Sequence, residues 1–598
     1  MRRRATILAT VCALFAFGLS QMNVVVAAST AKVANPALRY ALSVGHGANL
    51  RYLPNGLPVP MLSGGVTESA REILASQSGA TKIAGAGTYV PPISATTNGC
   101  PNVFHKNGYP ANIRANQDCT LRRQAEEQLA VNPTDPHNIV VGQNDSRVGY
   151  NQTGVDYTTN NAANWGDYSV PTRFTACDGY GYDAFSDPAL AINSSGSMSY
   201  VAVGFDVFNA TSGLAYWSGG YKGSSLHSPT SEYSATPSII YDNCSDPTKS
   251  PDKQFVTTDN SGGPNDGNIY VTFTLFQSDA SGNYLSSPIY FSKSTDGGLS
   301  WSPIKAISGI SSTVCVHGDF FDQNANPHAC NFDQGSIPVV GPDGTINVAF
   351  NNCNTEDAAA SGIGICQQLF VKSTDGGSTW SKPVKIGDDY AQQPLNLGQL
   401  GAGCPFGRQC LPPNGYRMND FPAMGIDDNT GKLGVFWSDF RNGCNPQFGC
   451  SGTPNSNQDV VASVSTNGGA TWGATKIVDT NHAAQWQAWG DVGENGKLYV
   501  GYYDRKYRHS EHSGTNNITL ATSGNNGTTW TYERITTHAM PNLTPSNNPY
   551  QAGFLGDYMW TMYANGNVYL VWADTRGLQN TVEEDVYYAK VGACGYSC

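Results

Sequence analysis

The chain has 598 residues, a formal net charge of −12, and 13% charged residues, roughly half the share of an ordinary globular domain. That balance excludes a partner held through its phosphate backbone, so no nucleic acid is expected. The 66 glycines and 31 tyrosines favour turns and strands over helices, in a chain long enough to bury a large core as one all-β unit.

At the N-terminus, Arg2, Arg3 and Arg4 precede an apolar run from Ala5 to Leu19, and Val26-Ala27-Ala28 offers small residues for cleavage. This reads as a secretory signal peptide over residues 1–28, with the mature chain starting near Ser29 and exported. The run is short for a bilayer span and no later stretch reaches spanning length, so a secreted, extracellular protein without a membrane span is expected. Residues 29–110 are rich in Gly, Pro and Ser, with a short helix expected over Thr67–Ala75. They read as an N-terminal arm or propeptide. Of fifteen cysteines, Cys12 leaves with the signal, and an even fourteen in an oxidising compartment implies disulfides. Cys404–Cys410 and Cys444–Cys450 are the expected short staples. No Cys-x-x-Cys spacing supports zinc.

From residue 111 to 598 the chain repeats itself. Four segments follow Ser-x-Asp/Asn-x-Gly-x-Ser/Thr-Trp: Ser294–Trp301, Ser373–Trp380, Ser465–Trp472 and Ser523–Trp530. A degraded copy runs from Thr158 to Trp165. The physics is local: Asp or Asn accepts backbone N–H groups in a tight turn, Gly supplies positive φ, and Trp packs on a neighbouring sheet. Units also share an opening followed by a β-prone strand. The openings begin at Glu126, Asp187, Asp252, Asp333, Asp420, Gln485 and Asp557, and the paired strands include Tyr200–Phe205, Leu433–Trp437 and Val568–Trp572.

The repeated turn is the Asp box, or BNR repeat, and the chain resembles the secreted sialidase-like β-propeller family that carries it. The resemblance covers about Glu126 to Val591 and implies an all-β propeller domain over residues 111–598. Seven units predict seven blades; six blades plus an appended unit, as the six-bladed sialidases imply, is the alternative. The last unit ends at its third strand, Val586–Val591, so a segment within Asn112–Cys119 is expected to supply its outer strand and close the ring.

In such a wheel the openings line the axis and the loops after the second strands emerge on the same face. Glu126 or Glu127, Asp187, Asp252, Asp333, Asp420 and Asp557 are therefore expected to converge with Arg147, Arg441, Arg505 and Arg576. Clustered acids can divide the roles of proton donor and nucleophile or base in glycoside cleavage, and arginines can hold an acidic sugar's carboxylate. The competing expectation is that repeated residues serve the blades, with Asp-x-Arg pairs as internal salt bridges. A structural calcium ion is a further option for the acids; no other cofactor is indicated.

The resemblance implies an arginine triad, for which Arg441, Arg505 and Arg576 are candidates. It also implies a catalytic tyrosine, Tyr503 or Tyr558, assisted by Glu127, and Asp252 as the acid. The family's early Arg-Ile-Pro signature is absent. His509-Ser510-Glu511-His512 lacks helical zinc spacing, and no phosphate loop or Gly-x-Ser-x-Gly occurs. The expected function is a secreted carbohydrate-active enzyme, an exo-α-sialidase-like glycoside hydrolase, acting as a monomer on extracellular glycan or polysaccharide. The alternatives are a non-catalytic glycan- or protein-binding propeller, with Tyr182, Trp486 and Trp489 as exposed stacking platforms, and a polysaccharide lyase on the same scaffold.

Overall fold

The computed structural model describes residues 33–43, 61–77 and most of 99–592; spans left out of the last range include 221–236, 391–409, 443–457 and 544–552. The signal peptide, Cys404, the Cys444–Cys450 pair and His509–His512 lie outside the described residues.

The described residues form seven antiparallel sheets of four or five strands and one two-stranded ribbon. The seven inner strands run Gln124–Val131, Ala184–Ile192, Lys249–Thr258, Asp333–Val340, Ala423–Ile426, Gln485–Val492 and Trp560–Ala564. Each packs on the next, and the first packs on the last, so the sheets close into a seven-bladed β-propeller. Blades 1 to 7 are numbered from the sheet of Gln124–Val131. The six-blade alternative is excluded. Closure comes from the N-terminal side: Asn112–Arg114 pairs with Asp585–Gly592, Ile113 opposite Tyr588 and Arg114 opposite Tyr587, and Val103–Phe104 adds a fifth strand. A first strand on the last sheet ties the two ends of the wheel without a free edge there.

Second strands such as Leu433–Asp439 and Leu498–Asp504 are buried along their whole length, because blades cover both faces. Their sequences are accordingly apolar on both faces, rather than alternating. The repeated turn staples neighbouring blades. In the turn of Ser294–Trp301, Gly298 N donates to Ser294 Oγ at 2.8 Å and Ser300 N donates to Asp296 Oδ1 at 3.0 Å. Equivalent bonds recur at Ser373, Ser465 and Ser523, and from Ala162 N to Thr158 Oγ1 in the degraded copy. Trp301, Trp380 and Trp472 then meet Tyr216, Phe291 and Phe370 of the preceding blade, with ring centroids 5.1, 5.0 and 5.4 Å apart.

Four disulfides are described: Cys100–Cys119, Cys177–Cys244, Cys315–Cys330 and Cys353–Cys366. Among the described residues, two helices precede the wheel, α1 over Pro36–Ser43 and α2 over Gly64–Gln77. The second is longer than the expected Thr67–Ala75 and is buried against the propeller core. Among the described residues, no helix is long and apolar enough to cross a membrane.

Candidate functional site

The site begins with a backbone irregularity. In five blades the inner strand shifts register by a bulge, after Ala125, Ser186, Asp252, Gln334 and Trp486. The first residue inside each bulge has positive φ: Glu126 at 62°, Asp187 at 56°, Lys253 at 50°, Gly335 at 66° and Gln487 at 53°. Left-handed backbone is costly for a residue with a Cβ, and bulges re-aim side chains. Here they turn Glu126, Asp187 and Lys253 into one group at the head of the axis.

Lys253 Nζ lies 2.8 Å from Asp187 Oδ2, 2.8 Å from Asp557 Oδ2 and 3.4 Å from Glu126 Oε1. Arg417 grips Asp557 with Nε and Nη2, both at 2.7 Å. Asp252 accepts from Lys253 N at 2.9 Å. Four carboxylates from blades 1, 2, 3 and 7 thus surround an ammonium and a guanidinium, all six side chains buried. Burial alone would pull the Lys253 ammonium down, but Asp187, Asp557 and Glu126 outweigh it and hold the charge. Burial, then the charge of Asp187, pushes the Glu126 carboxyl well above the usual range against the pull of Lys253.

The next residue faces a second group. Burial raises Glu127 well above its ordinary value, with Glu126 adding to the rise and the backbone N–H groups of Glu127 and Ala573 opposing it. Tyr503 stands close enough for Glu127 to raise its phenol further after burial, and its hydroxyl donates to Ala573 O at 2.8 Å. Glu584 is raised by burial, with Arg123 opposing and Glu127 adding to the rise. Arg123 and Arg417 flank the Phe554 ring at 5.2 and 5.3 Å.

The other residues expected at the site occupy different surroundings. Tyr558 borders this acidic crown, its ring under Lys253 Nζ at 5.3 Å, but its hydroxyl donates to Pro188 O at 3.1 Å and its ring packs on Phe255 and Trp489. Asp333 accepts from Asn352 Nδ2 at 2.6 Å within its own blade, and burial lifts it to about 8. Asp420 accepts from Gln458 Nε2 at 3.3 Å. The Asp-x-Arg segments form a repeated local motif: the third residue's N–H donates to the Asp carboxylate at Arg147, Arg441 and Arg576, at 2.9, 3.1 and 2.9 Å. The guanidinium groups return to the same acids: Arg441 to Asp439 at 2.6 Å, Arg576 to Asp574 at 2.5 Å, and Arg147 to Asp145 and Asp167. Arg505 donates through Nε to Asn516 Oδ1 at 3.2 Å and lies over Tyr416. Tyr182, Trp486 and Trp489, expected as exposed platforms, are 8%, 0% and 5% exposed. They fill the spaces between strands and blades, which corrects that expectation.

Sequence reading missed Lys253 and Arg417. Lys253 was detectable as the cation in register with Glu126 and Asp187, provided the bulge was known. Arg417 ends the second strand of a ribbon, Cys410–Leu411 with Tyr416–Arg417, that belongs to no repeat.

The crown is capped by the chain's own N-terminal segment. Ser63 N donates to Asp252 Oδ2 at 2.5 Å, Ser63 Oγ to Asp187 Oδ1 at 3.1 Å, and Gly64 N to Asp557 Oδ2 at 3.1 Å. At the other end of the axis, a cavity of about 340 Å³ lies between the later halves of the inner strands, lined by Leu190, Val256, Met424, Trp489, Asp491 and Trp560 among others.

No protein-family model and no curated relative matches the sequence. Among solved structures, the chain is similar to a polysaccharide lyase, a PL25 ulvan lyase, at 9% identity over 82% of this chain and 96% of that one, with a TM-score of 0.42. It is similar to the Hadza microbial sialidase Hz136 at 13% identity, covering 74% and 73%, TM-score 0.37. It is also similar to the Penicillium chrysogenum α-L-arabinanase at 12% identity, covering 68% and 93%, TM-score 0.36.

Proposed function

We propose that this chain is a secreted carbohydrate-active protein whose axial crown performs acid–base chemistry on an extracellular glycan, in the manner of a sialidase-like glycoside hydrolase. The observation that carries this reading is the crown itself: Glu126, its carboxyl raised by burial, stands with Asp187, Asp252 and Asp557 around Lys253, Arg417 and backbone donors. Glycoside cleavage needs a proton for the leaving oxygen and a second group that attacks the sugar or activates water. Glu126 fits the donor role, and Asp252 the partner role. Tyr503, within electrostatic reach of Glu127, is the alternative nucleophile with Glu127 as its helper. Arg417, held on Asp557 of the crown, and Arg123, which shares the Phe554 ring with it, are the cations nearest the axial acids, whereas Arg441 and Arg576 pair with acids of their own loops. The four disulfides support folding in an oxidising compartment, as export requires.

The test is a substrate panel of sialosides, arabinans and uronic-acid polysaccharides, run on the intact protein and after limited proteolysis. Reducing ends report hydrolysis, and near-ultraviolet absorbance reports the unsaturated products of a lyase. The reading expects hydrolysis that Glu126→Gln and Asp252→Asn each reduce by at least about 10²-fold. Products with the lyase absorbance, or glycan binding without turnover, would replace it with one of the other two functions.

A further inference from the structure

The segment that seals the crown makes contacts of the kind a sugar would make. Ser63 caps α2, its Oγ accepting from Val66 N at 3.2 Å, and this helix start is driven into the acidic group. A helix N-terminus carries partial positive charge and free N–H groups, so it satisfies carboxylates without a side chain. Ser63 N, Ser63 Oγ and Gly64 N donate to Asp252, Asp187 and Asp557, as hydroxyl groups of a ligand would.

The approach is so close that only glycine fits. A Cβ on Gly64 would lie 2.4 Å from the Phe554 ring and 2.8 Å from the Arg417 guanidinium carbon. On Gly65 it would lie 2.1 Å from Ser186 Oγ and 2.7 Å from Glu126 Oε2. Further along, Asn151 N donates to Ser69 Oγ at 2.9 Å, and Glu72 forms a buried ion pair with Arg122 at 2.9 Å. The seat therefore offers carboxylates at one end and an arginine about 13 Å along the helix axis. It takes hydroxyl donors first and a carboxylate second.

The ring does not need this segment to close. All seven blades and the closing strand Asn112–Arg114 lie after Gly99. Residues 78–98 join α2 to the wheel, a length of chain able to extend roughly 70 Å.

The geometry points to Met61–Gln77 as an internal plug that holds the axial site closed by occupying its ligand seat, and that must be displaced before an extended anionic glycan can enter. This rests on the crown being the functional site, and the test separates the two claims. A specific protease sequence is inserted between Gly85 and Ala86 of the full chain. The protein is cut, passed through gel filtration, and treated with a carbodiimide that labels accessible carboxylates, read by mass spectrometry. Circular dichroism follows the fold, and the substrate panel follows activity. Gly65→Leu in the uncut chain is the second variant, since its side chain collides with Ser186 and Glu126 and forces the helix start out of the crown while every propeller residue is kept.

The proposal expects the plug peptide to leave, the propeller to stay folded, and labelling of Asp252 and Asp557 to rise at least tenfold. Gly65→Leu should show the same labelling, and added peptide 61–77 should reverse it. Labelling without sugar turnover or glycan binding would uphold the plug and remove the carbohydrate reading. If the cut segment stays bound and the acids stay unlabelled in both proteins, or if the wheel unfolds when the segment leaves, α2 is a core element and the proposal is wrong.

Discussion

Lys253 Nζ lies 2.8 Å from Asp557 Oδ2, joining blade 3 to blade 7 across the axis. The same ammonium reaches Asp187 of blade 2, and both it and its partners are buried. Removing one member of a buried ion cluster leaves uncompensated charge in a poor solvent, at a cost of about 3–5 kcal/mol. Lys253→Met should therefore destabilise the propeller by that order in chemical denaturation. The double change Lys253→Met with Asp557→Asn should recover part of the loss. A single variant as stable as wild type would show that the cluster is solvated rather than sealed.

The two glycines of one repeated turn should respond differently. Gly297 has φ 74° and open space around a would-be Cβ, whereas a Cβ on Gly298, at φ 87°, would lie 1.9 Å from the Tyr216 ring. Gly297→Ala should cost only the left-handed backbone penalty, about 1 kcal/mol. Gly298→Ala must also push Tyr216 out of the inter-blade contact and should cost about 3 kcal/mol or more. Equal losses, measured by denaturant midpoints, would contradict the stapling role of this turn.

Asp333 gives a pH signature with a definite sign. Burial raises its folded value to about 8, against an unfolded value near 4. Between those values the unfolded chain has released a proton that the folded chain keeps, so stability falls as pH rises from about 4 to 8. Asp333→Asn should be nearly neutral at pH 4 and stabilising at pH 8, by on the order of 5 kcal/mol. A variant with the same pH slope as wild type would show that Asp333 titrates normally.

The wheel was readable because its signals are local and repeated. Ser294, Asp296 and Gly298 close their turn within five residues, and the unit spacing counts seven inner strands. The strand Asn112–Arg114 was inferable because the last unit lacked an outer strand. The crown was only half readable. Glu126, Asp187, Asp252 and Asp557 stood out as acids at unit openings, but the bulges that aim Glu126, Asp187 and Lys253 depend on backbone register. Asp333 and Asp420 share the opening pattern, yet their side chains bond within their own blades. The Asp-x-Arg arginines looked like a substrate clamp because spacing alone does not reveal that Asp439 and Asp574 consume them. The Ser63 to Asp252 bond spans 189 residues and leaves no periodic trace.

The measurement that bears most directly on the account is glycan turnover by the opened protein, compared between wild type and Glu126→Gln. The account predicts released sugar from wild type and a loss of at least about 10²-fold in the variant, with an unchanged fold. No turnover across the panel from a folded, opened chain, or turnover indifferent to Glu126, would contradict it.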